Sequence, residues 1–176
     1  MREVRAKYIA EFQKLLQELQ SDGKHISPEV RLEVNEESDH ELYRLYVMDF
    51  LERKPDGTVG AIELGCAPIE TAHPGLRIDA PICWNGVTFK CLAASFPEDD
   101  VLAWGNRWIH DESPPLGQQD GLTGVIHSVS EPKTVGENVE FSVAFGSAPF
   151  EAFDELLASL GGSILSIGTY LVDREA

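Results

Sequence analysis

Apolar residues recur at helical spacing from the start of the chain: Val4, Tyr8, Phe12, Leu15 and Leu19, widened by Ile9 and Leu16. The stripe predicts an amphipathic helix over residues 2–21, stopped by Asp22-Gly23. Its other face carries Arg2, Arg5, Lys7 and Lys14 and is the most basic part of the sequence. The period then changes from helix to strand. Val30, Leu32 and Val34 alternate with Arg31, Glu33 and Asn35, the pattern of a half-buried strand. Residues 41–53 alternate through Tyr43, Leu45 and Val47 and read as a strand. The turn at Pro55-Asp56-Gly57 leads into another apolar run at 58–64.

Asn85-Gly86 divides two further alternating runs. This dipeptide favours a two-residue type I′ hairpin turn, in which both central residues have positive φ. The implied hairpin pairs Trp84 with Val87, Ile82 with Phe89 and Ala80 with Cys91, and leaves Trp84 partly exposed beside the turn. The strands of residues 30–95 are therefore read as hairpins. Ser95 and Glu98 have capping-box spacing, which predicts a helix over 96–110 with Val101, Trp104 and Trp108 on its inner face. Residues 122–146 read as one more hairpin, with strands 124–130 and 138–145. Ser147 stands as the cap of a helix over 149–160, ended by Gly161-Gly162. A final strand covers 163–172. Strand runs broken by helices indicate an α+β fold. The expected architecture is a mainly antiparallel sheet of about seven to eight strands with three helices packed on it. No linker-like segment divides the chain, so residues 1–176 read as a single domain.

With 43% apolar and 25% charged residues, the chain can bury a sizeable core. No apolar run approaches the roughly 20 residues that span a bilayer. The N-terminus lacks a signal-peptide pattern, so the expected location is the cytoplasm. Cys66, Cys83 and Cys91 are odd in number and lack paired spacing, which argues for buried thiols over a disulfide framework.

Charge narrows the function more than any motif does. The formal net charge is −16, and beyond Trp108 the only lysine or arginine residues are Lys133 and Arg174. A field of that sign repels nucleic-acid phosphates and anionic membranes and attracts cationic partners. It also exceeds the magnitude of about 2–8 that solubility asks of a small domain.

Candidate chemistry is sparse. His110, Asp111 and Glu112, followed by Asp120 and His127, mix imidazole and carboxylate but match no metal-ligand spacing. Neither a nucleophile elbow nor a phosphate or dinucleotide glycine motif occurs, and no cofactor or metal is expected. His127 shares a strand face with Val125 and Val129, which predicts a hydrogen-bonded core histidine. The enzymatic alternative makes His127 an acid or base beside His110, Asp111 or Asp120.

The profile (small, acidic, α+β, without a catalytic motif) is similar to that of bacterial immunity proteins that neutralise toxins. The leading expectation is an acidic binding protein that occludes the active site of a basic toxin or enzyme. Its expected contacts are Glu98, Asp99, Asp100, Asp111, Glu112, Glu151, Asp154 and Glu155, with Trp84 as aromatic anchor. A third reading is an adaptor subunit that forms a homodimer through helix 2–21 or a free sheet edge.

Overall fold

The computed structural model describes residues 1–34, 37–110 and 122–169. Its first element, α1 (Arg2–Ser21), follows the apolar stripe, and Val4, Tyr8, Phe12 and Leu19 are buried. Strand β1 (His25–Glu33) begins earlier than the alternation from Val30 suggests. The next run is a strand only in part. A helical turn, α2 (Glu41–Arg44), precedes β2 (Leu45–Arg53). Adjacent strand residues point to opposite faces, whereas Leu42 and Tyr43 are both buried. The helical turn allows this, with Leu42 packed against the helix of residues 98–110 where that helix has only Gly105. Strand β3 (Val59–Ile62) completes an antiparallel sheet in the order β1-β2-β3.

The second sheet has the order β5-β7-β4-β8, with β6 also paired to β7. Its strands are β4 (Val87–Leu92), β5 (Ser128–Val129), β6 (Lys133–Val135), β7 (Asn138–Ala144) and β8 (Ile164–Gly168). The fold is thus α+β, with eight strands among the described residues divided between two antiparallel sheets. The expected strand at 124–130 shrinks to two residues, and β6 forms inside what reads as a connection. The final strand ends at Gly168, and its expected end lies outside the described residues. Helices α3 (Glu98–His110) and α4 (Phe150–Leu160) pack over one face of this sheet, where Phe153 meets Phe89 and Trp104 meets Phe145.

The hairpin expected at Asn85-Gly86 does not form. Trp84–Gly86 is a 3-10 turn, and Asn85 has φ −91°, so the type I′ conformation is absent. Ile82 bridges Ile69, while Phe89 pairs with Phe141 and Ile167, and Cys91 with Val139 and Ile164. Tertiary packing explains the difference. The Trp84 indole is fully buried against Phe145 and Phe150 and donates to the Gly146 carbonyl. Burying an aromatic ring of that size outweighs a local turn preference. Neither expected cap holds: Ser95 lies in a separate 3-10 turn ahead of α3, and Ser147 Oγ accepts from the Gly124 N–H.

The reading of the cysteines also needs correction. Cys66 and Cys83 form a disulfide with a Cα–Cα distance of 5.8 Å, and Cys91 is free and buried. The long irregular segment between β3 and β4 carries Cys66 back against Cys83, a juxtaposition that spacing along the chain does not reveal. Among the described residues no helix is long and apolar enough to cross a membrane.

Candidate functional site

The most unusual polar group in the molecule is inside it. His127 is wholly buried, immediately before β5, between Glu29 and Asp49. The β1–β2 register pairs Pro28 with Phe50 and Val30 with Met48, which sets Glu29 opposite Asp49. Two like charges opposed across strands repel. The His127 ring relieves that repulsion: Nε2 donates to Glu29 Oε1 at 3.1 Å, and Nδ1 lies 3.0 Å from Asp49 Oδ1. The second contact is an ion pair without a hydrogen bond from Nδ1.

Each carboxylate is satisfied further. Tyr8 from α1 donates to Asp49 Oδ1 at 3.0 Å, and the Leu64 N–H donates to Oδ2 at 2.7 Å. Glu29 Oε2 accepts from the Thr123 N–H at 2.5 Å and its hydroxyl at 2.8 Å. Glu29 itself has φ +50°, the left-handed region. A non-glycine residue there carries strain, and this one is held by three acceptor bonds, one of them from the His127 ring. Gly146 closes the pocket around the ring: its φ is +50°, and a Cβ there would overlap the imidazole.

These contacts fix the protonation. Burial pushes the His127 pKa down, but the close Asp49 and Glu29 carboxylates push it up more, to about 9. Burial pushes the Glu29 carboxyl up, yet the hydrogen bond and charge of His127, with Ser147 and Thr123, hold it below the usual carboxylate range. Burial and the Asp49 charge raise the Tyr8 phenol far above its ordinary value. The raised His127 pKa and the lowered Glu29 pKa both favour the charged pair, an imidazolium against the Glu29 carboxylate. Such an imidazole has no lone pair for a proton, a metal or an acyl group. It ties α1, β1, β2 and the approach to β5 together, and its own backbone joins β2 to β7 through the Val47 and Ala144 bonds. Among the described residues no group of three or more His, Cys, Asp or Glu is arranged to hold a metal ion.

The enzymatic constellation does not assemble around this residue. His110 is exposed at the end of α3 and its Nδ1 meets Arg31. Asp111, Glu112 and Asp120 lie outside the described residues. Sequence reasoning reached His127 and its inward face but missed both carboxylates and Tyr8. Asp49 carries the one available signal, a lone acid in the apolar run Tyr46–Leu51 of β2.

The outer acidic residues take a different place. Glu98, Asp99 and Asp100 are exposed on the first turn of α3, and Glu151 and Asp154 are exposed on α4 beside it. Glu155 is half-buried, paired with Arg107 and accepting from the Trp108 indole at 2.9 Å. Arg2 of α1 pairs with Asp154 at 3.7 Å. Each helix thus carries exposed carboxylates at its N-terminal end, with Arg107 as the sole arginine or lysine on either helix. Trp84, expected to reach a partner, is fully buried and cannot be an interface anchor. No family model, curated protein or solved structure matches the chain.

Proposed function

We propose that this protein is an acidic binding protein that captures a basic protein, as an immunity protein or inhibitor captures a toxin or enzyme. The observation that carries the reading is the acidic surface of a chain of net charge −16, with exposed carboxylates at the N-terminal ends of both α3 and α4. A field of one sign steers an oppositely charged partner and raises its association rate by about 10–10³. Occlusion follows when that surface covers the partner's basic cleft. The complete burial of His127 favours binding over acid–base catalysis, since a general acid or base must come within hydrogen-bond reach of substrate. The apolar stripe of α1 is used inside the fold, so α1 does not offer it to a second copy.

The test is charge reversal. Asp99, Asp100, Glu151 and Asp154 changed together to Lys leave the core untouched and slow association with the captured basic protein at least tenfold at low salt. An unchanged association rate in a folded variant overturns the reading.

Compartment enters through the cysteines. A formed Cys66–Cys83 bridge persists where the surroundings are oxidising, and in the cytoplasm the same pair is kept as two thiols. The mass of the alkylated protein taken from its native compartment distinguishes the two.

A further inference from the structure

At the end of α1 the sign of the surface reverses. Lys24, His25, Ser27 and Arg53 line an open cavity of about 530 Å³, completed by Gln20 and Ile26. The β1–β2 register sets His25 directly opposite Arg53 and Ser27 opposite Leu51. Opposed residues and residues two apart share a face of the sheet, so His25, Ser27 and Arg53 project on the same side, where the cavity lies. All three are exposed, as is Lys24. No carboxylate lines the cavity, in a chain with 30 acidic residues.

The fold supplies these cations with little counter-charge. Among the described residues the one ion pair they make is Lys24 with Glu52, at 3.8 Å, and the side chains of His25 and Arg53 make neither an ion pair nor a hydrogen bond. Like charges directly opposite each other across strands repel, and a protonated His25 stands in that relation to Arg53. The same two strands oppose Glu29 to Asp49, and there the His127 ring lies between the carboxylates. At the His25–Arg53 end no group of the fold takes the corresponding place. The last carbonyls of α1, which would repel an anion, are already bonded: Glu18, Leu19 and Gln20 accept from the N–H groups of Asp22, Lys24 and Gly23.

We propose that this cavity binds a small phosphate-bearing molecule, with Arg53 as its principal contact and Lys24, His25 and Ser27 as further donors. A guanidinium engages two phosphate oxygens at once, and the ammonium, imidazolium and hydroxyl groups meet the others. The volume lies within the usual range of small-molecule sites, about 300–1,000 Å³. The charge of the whole chain selects the size of the ligand. A net charge of −16 repels nucleic acids and anionic membranes, whose charge extends beyond the patch. A compact anion interacts within it, because salt screens the distant carboxylates beyond about 10 Å at 0.1 M.

The experiment titrates the full chain with pyrophosphate at constant ionic strength near pH 6, where an ordinary imidazole is mostly protonated, and follows amide chemical shifts. Saturable shifts are expected at residues 24–27 and 52–54. Arg53→Gln is expected to weaken binding roughly tenfold or more, His25→Gln to weaken it less, and Lys133→Gln on β6 to bind as the parent does. Neither Arg53→Gln nor His25→Gln lowers the melting temperature without ligand, because each removes one of two opposed like charges. Shifts that do not saturate, shifts spread over the other lysines, or equal binding by Arg53→Gln overturn the proposal. A lowered melting temperature of both variants also overturns it, since the two side chains are then paired within the fold. Vesicles of anionic phospholipid are expected to leave the chain unbound. Vesicle binding that Arg53→Gln abolishes assigns the patch to a membrane headgroup and overturns the small-molecule ligand.

Discussion

Glu29 Oε1 lies 3.1 Å from His127 Nε2, and the strand that brings it there does so through a single left-handed residue. Along β1 the neighbouring odd-numbered side chains, Ser27 and Arg31, face solvent, whereas Glu29 is buried. The contact joins the first sheet to the second, and with Asp49 it makes His127 a charged bridge.

Removing the bridge leaves two carboxylates facing each other in the interior. Breaking a buried ion pair by deleting one partner costs about 3–5 kcal/mol. His127→Gln is expected to lose that much in urea unfolding. A loss below about 1 kcal/mol, the usual size of an ordinary polar substitution, contradicts the ionised network.

Stability should fall on both sides of neutrality. His127 titrates near 6.5 when unfolded and near 9 when folded, so its contribution is complete below pH 6.5 and fades as pH rises through 9. The difference corresponds to about 3 kcal/mol. Glu29 has the opposite sign: its folded pKa is depressed, so its contribution is present above 4.5 and fades as pH falls below that value. Unfolding free energies across pH 3–10 check both limbs, and imidazole chemical shifts that report a neutral ring at pH 7.5 contradict the first.

Gly146 has two reasons to be glycine, its φ of +50° and the His127 ring lying where a Cβ would go. Overpacking costs about 1–3 kcal/mol and left-handed backbone about 1–2 kcal/mol. Gly146→Ala should therefore destabilise by about 2–5 kcal/mol in thermal or urea unfolding. Gly161→Ala shares the positive φ but has no atom within 4 Å of the added Cβ, so its loss is of backbone origin alone, at a ψ of −130° that lies outside the left-handed helical region.

The Cys66–Cys83 bridge closes a loop with a sequence separation of 17. Loops of that length contribute about 3 kcal/mol when cross-linked. Cys66→Ser should lower stability by about that amount relative to the oxidised protein, and reductant should reproduce the loss in the parent chain. Cys91 is buried with its thiol pKa pushed up to about 11 by burial, so it should resist alkylation until unfolding.

What the sequence discloses depends on how local each cause is. The stripe of α1 and the alternation Val139, Phe141, Val143 of β7 are local periodicities, and both elements form where they predict. Asn85-Gly86 fails as a hairpin turn because the decisive interaction is with Phe145, Gly146 and Phe150, some sixty residues away. His127 is legible as an inward residue from its valine neighbours. Glu29 is not, because in an alternating strand a glutamate reads as solvent-facing, and only its positive φ and the opposed Asp49 reveal its role. The exposure of Asp99, Asp100, Glu151 and Asp154 is legible because amphipathic helices display their polar residues on the outer face.

The measurement closest to the functional claim is capture of the tagged protein's partner from native lysate at low salt, run beside the Asp99, Asp100, Glu151 and Asp154 to Lys variant. Salt screens exposed charges within about 10 Å at 0.1 M. The account predicts a stoichiometric basic protein on the parent chain, released by rising salt and absent from the variant. Equal capture by both chains, or no saturable capture by the parent, contradicts it.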